Sequence, residues 1–363
     1  MITVPFLDLR VTDDEERAEL IAAVEAVLRH GRIMLGPEVA EIERRVADYI
    51  GLKYAAGVGS GTDALLLAFR ALGIGPGDEV ITTPLSFIAT ANAIRLNGAM
   101  PVFADIDDDL QLDPATIESL ITPKTRAIVP VHWSGKVCRM EEIMAIADLR
   151  GLLVVEDCSQ AFGASRHGHK AGTWGKVGCY SMNSMKAFAS LGEAGMILTD
   201  DPELRAKIEA LRYNGLINRE FCHYVSHNGR LDTVQAAMML KRLDRYERVL
   251  AAREETARFY DAHLSDVVRV PRREAGCRDV AYTYQIQTDR RDELQSHLTA
   301  QGIETKVQHN PLMPHQPAYQ DCRSACPNAD RLIKRTLCLP VSEKVTSAQR
   351  EAVVAALRGF FGR

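Results

Sequence analysis

The stretch from Gly151 to Gly195 constrains the chain more than any other. Its first part, GLLVVEDCSQAFGA, holds a short apolar run, Leu152 to Val155, that stops at Glu156 and Asp157. Apolar and β-branched residues closed by polar ones predict a buried parallel strand. Its second part, GKVGCYSMNSMKAFASLGEAG, predicts a weaker strand, Val177 to Met182, leading into Lys186. In an open α/β sheet, ligands sit at the carboxyl ends of the strands. A carboxylate at Asp157, a hydroxyl at Ser181 and an amine at Lys186 therefore fall at ligand level. An ordinary ion pair on a loop would account for the Asp and the Lys equally well, so the rest of the chain has to decide between them.

The surrounding pattern supports a sheet. Short strands are predicted at Lys53–Val58, Glu79–Thr83, Met100–Ala104 and Arg126–Val131, with His132 at the end of the last. Helices are predicted between them, at Thr62 onward, Ser86–Leu96, Asp113-Pro114 onward and Arg139–Leu149. Strands alternating with helices imply a mostly parallel α/β sheet. Two amphipathic helices, Asp13–His30 and Pro37–Tyr49, precede it, and Pro202–Arg212 follows. The run Leu231–Tyr260 reads as one long helix or two, bridging to a smaller α+β unit. That unit has a strand at Tyr282–Thr288, a helix at Asp292–Gly302, a strand near Thr305 and helices near Ala329 and Ala348. The expected division is a large domain over 1–240 and a small one over 241–363.

Composition narrows the function classes. The 363 residues are 46% hydrophobic and 25% charged, as in a globular enzyme with a sizeable core. A net charge of −4 leaves no broad basic footprint for nucleic acid. No run approaches the roughly 18 apolar residues of a membrane span. The acidic start, MITVPFLDLRVTDDEER, lacks an apolar signal core, so the cytoplasm is the expected compartment. Eight scattered cysteines give neither a disulfide framework nor a zinc pattern, and no metal site is expected.

One further turn bears on the ligand. Gly59-Ser60-Gly61 lies between a strand and a helix start, an arrangement that presents free N–H groups to a phosphate. A plain helix cap by Ser60 or Thr62 is the alternative. Phe87, just past a strand end, could stack on a flat ring or fill the core. Pyridoxal phosphate has need of all these groups: a lysine for its aldehyde, a carboxylate for its ring nitrogen and donors for its phosphate.

Several ordered motifs carry a resemblance. They are GPEVAEIERRVADYIG, VGSGTDALLLAFRALGIGPGDEVITTPLSFIATANAI, ITPKTRAIVPVHWSG, VVEDCSQAFGA, NGRLDTVQAAMML and HQPAYQ. Together they make the chain similar, over nearly its whole length, to sugar aminotransferases of the DegT/DnrJ/EryC1/StrS family. The resemblance implies the type I, aspartate-aminotransferase-like fold, with pyridoxal 5′-phosphate as cofactor. It implies phosphate contacts from Gly61, Thr62, Asp63 and Ser181, ring stacking by Phe87, and Gln160 near the ring's phenolic oxygen. Asp157 would face the ring nitrogen, and Lys186 would bond the cofactor's aldehyde. Asn228 would reach the phosphate of a partner subunit in a homodimer. The implied reaction moves an amino group, by resemblance from glutamate, to a keto sugar on a nucleoside diphosphate. A family dehydratase and a non-catalytic regulator are the competing readings. In the family's 3-dehydratases a His replaces the lysine, so Lys186 argues against the first. His132 is a candidate for substrate contact or for support. Arg230, Lys306 and His309 are candidate positive groups for the diphosphate. Met182, Met185 and Ala187 depart from the family's usual residues around the lysine, which bears on the identity of the substrate.

Overall fold

The computed structural model describes residues 3–322 and 324–363. Helix α1 (Asp14–His30) begins where the Asp13 side chain accepts the Glu16 N–H and ends at Gly31 with φ 70°. Helix α2 (Pro37–Ile50) has proline in its first turn, where no N–H is missed. The others are α3 (Gly61–Ala71), α4 (Ala89–Leu96), α5 (Met140–Arg150), α6 (Pro202–Arg212), α7 (Thr233–Leu264), α8 (Arg291–Ala300), α9 (Pro327–Leu332) and α10 (Ser347–Phe360).

Seven strands form the central sheet: β1 (Tyr54–Val58), β2 (Glu79–Thr82), β3 (Met100–Phe103), β4 (Thr125–Val129), β5 (Leu153–Asp157), β6 (Val177–Ser181) and β7 (Gly195–Thr199). Their order is β1-β7-β6-β5-β4-β2-β3. Strand β7 is antiparallel to both neighbours, and the other pairings are parallel. The mostly parallel sheet is thus as expected, with β7 the strand the sequence pattern did not reveal. Its first residue explains the local geometry. A Cβ at Gly195 would stand 2.2 Å from the Ser60 carbonyl, so glycine lets β7 approach the turn after β1.

The strands alternate as a two-sided sheet must. Ile81, Ile128, Val154 and Tyr180 join the core under α2 and α7, while Val80, Val129, Val155 and Cys179 join the core under α3 and α6. The smaller α+β unit pairs β8 (Tyr284–Gln287) with β9 (Thr336–Leu339) antiparallel. Its core draws on α8, α10 and Ala257, Tyr260 and Leu264 of α7. Val4 belongs to that core and bridges Ile303, so the N-terminal strand segment packs on the small unit.

One open choice closes and two local expectations change. The run read as one long helix or two forms a single helix, α7 (Thr233–Leu264), with Leu231 and Asp232 just ahead of it, and it runs through 240/241. Asp113-Pro114 opens two short 3-10 turns rather than an α-helix. The region near Thr305 contributes isolated bridges, Ile303 to Val4 and Lys306 to Cys338, rather than a strand. No helix among the described residues is long and apolar enough to cross a membrane.

Candidate active site

Strands β1, β2, β4, β5 and β6 all end on one edge of the sheet, and the site is built there. After β1, Ser60 caps α3: its hydroxyl accepts the Asp63 N–H at 3.0 Å. That leaves the N–H groups of Gly61 and Thr62, in the first turn of α3, without a protein acceptor among the described residues. Gly61 packs directly on Ser181, where a Cβ would come within 2.5 Å of the serine Cβ. Two free N–H groups at a helix start beside a hydroxyl make an anion cradle. Asp63 is a correction. Its N–H is consumed by Ser60, and its carboxylate is held by Ser60 Oγ at 3.0 Å and His227 Nε2 at 2.8 Å, so it offers nothing to a phosphate.

Asp157 ends β5 and is buried. Its Oδ2 accepts the Thr90 hydroxyl at 2.8 Å and its Oδ1 the Ser159 N–H at 3.1 Å. The Thr90 oxygen also lies 3.2 Å from Ser86 Oγ. Gln160 Oε1 accepts the Ser134 N–H at 2.8 Å. A backbone N–H can only donate, so the amide oxygen faces Ser134 and the NH2 end is the free donor. Phe87 is 55% exposed, which removes the core reading and leaves its ring at the cavity wall.

The residue before Asp157 explains how this edge is held. Glu156 is fully buried, and its carboxylate accepts N–H groups from Gly172, Trp174 and Gly175 at 2.7–2.8 Å. The fourth donor is His132 Nε2, at 2.8 Å. The Cys138 N–H donates to His132 Nδ1, which fixes the proton on Nε2. His132 is therefore support with no face toward a substrate, since both nitrogens are used and the ring is fully buried. The Glu156, His132 and Cys158 donor atoms lie close together, but the carboxylate is already satisfied by hydrogen bonds and reads as structural. Replacing Glu156 with Ala is expected to lower the unfolding free energy by about 3–5 kcal/mol, because it leaves four buried donors without their acceptor, each at a cost of about 1–3 kcal/mol before relaxation. Urea unfolding of the cofactor-free chain measures it, and an unchanged midpoint would refute the structural role.

One cavity of about 550 Å³ brings together Gly61, Thr62, Phe87, Asp157, Gln160, Ser181, Lys186, Lys306 and His309. Lys306 lies with its ammonium 4.9 Å from the Phe6 ring centroid. His309 packs against Phe87 and Trp133, with ring centroids 5.7 and 5.1 Å away. Burial, and then the nearby Lys186, push its pKa down to about 4. It is a neutral donor or acceptor at pH 7 and not the positive group expected. Asn228 and Arg230 lie outside this cavity. Arg230 Nε donates to Asn228 Oδ1 at 2.8 Å, and its guanidinium stacks on Tyr213. Sequence reasoning missed Thr90, Ser134 and Tyr282. The one available signal was the pair Ser86 and Thr90, four residues apart in the expected helix; α4 starts only at Ala89, and the two hydroxyls meet just ahead of and within its first turn.

The fold and this constellation define a type I pyridoxal-phosphate transferase. The lysine and carboxylate at adjacent strand ends, with a phosphate-sized anion cradle beside them, suit that cofactor's aldehyde, ring nitrogen and phosphate. The chain belongs to the DegT/DnrJ/EryC1/StrS aminotransferase family, whose profile matches residues 14–358. It is 37% identical to the UDP-2-acetamido-2-deoxy-3-oxo-D-glucuronate aminotransferase of Pseudomonas aeruginosa, covering 98% of this chain and 99% of that one. It superposes on DesV of S. venezuelae, solved in complex with a ketimine intermediate, with a TM-score of 0.97 and 36% identity over 100% of both chains. NtdA of Bacillus subtilis, solved with bound cofactor PMP, gives a TM-score of 0.94 at 28% identity, covering 100% of this chain and 86% of that one. The protein is a pyridoxal-phosphate-dependent aminotransferase.

Proposed function

We propose that this enzyme moves the amino group of an amino acid, L-glutamate by resemblance, to a keto sugar carried on a nucleoside diphosphate, in amino-sugar or glycoside biosynthesis. The observation that carries the reading is the single cavity that Lys186 and Asp157 line together with Gly61 and Thr62, whose N–H groups are free among the described residues. The bound cofactor supplies an electron-withdrawing ring that lets a C–H bond beside the transferred nitrogen ionise. In this reading Gly61, Thr62 and Ser181 hold its phosphate, Phe87 covers its ring, and Gln160 donates its free NH2 to the phenolic oxygen. Asp157 keeps the ring nitrogen protonated. Lys186 would hold the cofactor's aldehyde carbon, and its amine, when free, would take up and return the proton of the substrate carbon from a position already beside it. Lys306 and neutral His309 are the substrate contacts from the chain's own cavity.

Asn228 and Arg230 complete the reading from a second subunit. Asn228 is exposed and outside its own cavity, on a segment that also exposes Phe221 and Val225. An apolar, exposed segment next to an amide that still has its NH2 to donate suits a homodimer in which each chain completes its partner's site. The proposed domains are 1–240 and 241–363, with the cytoplasm as the working compartment. Eight free cysteines are at home in a reducing one.

The test follows the two halves separately. L-glutamate alone should change the cofactor's absorption spectrum, and a nucleotide-linked keto sugar should then restore it. No spectral change with any amino acid, or restoration by 2-keto acids alone across a panel of keto sugars, would overturn the proposed substrate class.

A further inference from the structure

Lys186 has a neighbour that neither the sequence motifs nor the cofactor chemistry assigns. The Lys186 ammonium lies over the ring of Tyr282, 4.8 Å from its centroid. Tyr282 comes from the segment just ahead of β8 and lines the same cavity. No hydrogen bond from its phenol to another described side chain fixes the ring. The backbone does so instead.

That backbone is held from several sides. The Tyr282 N–H donates to the Ser134 carbonyl at 2.9 Å, and the Val280 N–H to the Gly135 carbonyl at 2.9 Å. Ser134 Oγ lies 2.7 Å from Thr283 Oγ1. Arg253, nearly fully buried and paired with Glu343 at 2.8 Å, donates to the carbonyls of Ala281 and Tyr282. Ser134 adopts φ 60° and Gly135 φ 86°, and a Cβ on Gly135 would stand 2.9 Å from the Gln160 carbonyl and 3.2 Å from the Tyr282 nitrogen. The loop thus takes an uncommon conformation where it touches both Gln160 and Tyr282. Its N–H sets the Gln160 amide and its carbonyl sets Tyr282, so one residue aligns the ring-side donor and the wall behind the lysine.

We propose that Tyr282 is a further catalytic residue, whose ring face holds Lys186 Nζ while that nitrogen carries the proton it moves. The inference rests on the reading of Lys186 as the proton-moving group. In the step, the proton leaves the substrate carbon, its electron pair stays with the conjugated system, and Lys186 becomes an ammonium. An ammonium is attracted to the negative face of an aromatic ring, and a neutral amine is not. The ring therefore favours the protonated lysine over the neutral one, which is differential stabilisation of the charge that develops during transfer. It also keeps the long, flexible side chain from swinging into the adjoining groove that Lys186 shares with Leu7, Ala187 and Arg242.

Three replacements at position 282 test this. Tyr282→Phe keeps the ring face. Tyr282→Leu removes it. Pentafluorophenylalanine at 282 keeps the shape but reverses the charge of the face. The glutamate half-reaction should be within about twofold of native for Phe. It should be about threefold to thirtyfold slower for Leu and for the fluorinated ring, with KM for glutamate unchanged. A second reading needs no cofactor. In the cofactor-free protein, acetic anhydride should label Lys186 several-fold faster in the Leu and fluorinated chains than in the native or Phe chains, as scored by peptide mass spectrometry. Native-like rates and labelling for the fluorinated ring overturn the proposal, as does a Phe chain as slow as the Leu chain, because the hydroxyl would then be the working group. If the Leu chain fails to fold, the isosteric pair of Phe and fluorinated rings decides. Retained turnover in Lys186→Ala would instead sink the reading of the lysine itself, whatever position 282 does.

Discussion

Lys186→Ala should abolish turnover while leaving a protein that still binds the cofactor's phosphate. The expected loss is about 10⁴-fold, the upper end of what a positioned proton-transfer group contributes. Phosphate binding should survive because its donors are elsewhere: the Gly61 and Thr62 N–H groups at the start of α3 and the Ser181 hydroxyl at the end of β6. Borohydride reduction of the native enzyme, followed by peptide mapping, should place the pyridoxyl label on Lys186, and a label on another lysine would overturn the assignment. The same variant tests the proposed dimer. Chains carrying Lys186→Ala, mixed with chains inactivated by a bulky or acidic residue at Asn228, should regain activity, since one site of a mixed dimer then holds both intact residues. No recovery from a mixture shown to exchange subunits would mean that Asn228 acts within its own chain.

The sequence shows these groups because each sits at a strand end, where a short apolar run stops. Leu153 to Asp157 and Val177 to Ser181 are both strands in the structure, and both lead directly into the cavity. The glycine turn before α3 is readable for the same reason, although its two readings turn out to be one: Ser60 caps the helix, and by using the Asp63 N–H it leaves the two earlier ones free. Periodicity could not separate these, because a cap and an anion cradle share the same residues.

What stayed hidden depends on contacts between distant parts of the chain. Glu156 and His132 are both strand-end residues with nothing in their local pattern to pair them, yet His132 is spent entirely on Glu156 and the Cys138 N–H. The reversal of β7 is invisible to an apolar run, since Met196–Leu198 would read the same in either direction. His309 has an ordinary local context, and only burial against Phe87 and Trp133 near Lys186 makes it neutral. Folding keeps that imidazole uncharged, with its pKa below the usual value of about 6.5. Its contribution is therefore complete above that value and is lost as pH falls toward 4. Tyr282 reads as the start of a strand, and its place beside Lys186 follows from the backbone bonds to Ser134.

Asp157→Asn should leave a folded chain with transamination reduced by about 10²–10³-fold, the scale for losing one preorganised charge contact in a site. The structure says why an amide cannot substitute. Thr90 Oγ1 and the Ser159 N–H both donate to the carboxylate, one to each oxygen. An asparagine has one acceptor oxygen, so its NH2 must face either the Ser159 N–H, where two donors clash, or the Thr90 hydroxyl, which can turn round and accept. In the second arrangement the NH2 end still replaces a negative oxygen, and the ring nitrogen loses the charge that keeps it protonated. Cofactor retention should weaken by roughly 1.5–3 kcal/mol, the value of a hydrogen bond to a charged group. A cofactor analogue methylated on the ring nitrogen carries a permanent positive charge and needs no carboxylate to maintain it. Loaded with that analogue, Asp157→Asn should be faster than with the native cofactor, while the unaltered enzyme should not gain. Native rates for Asp157→Asn with the ordinary cofactor would remove Asp157 from the ring nitrogen. A slow variant that the analogue fails to help would show that the carboxylate positions the ring without setting its charge.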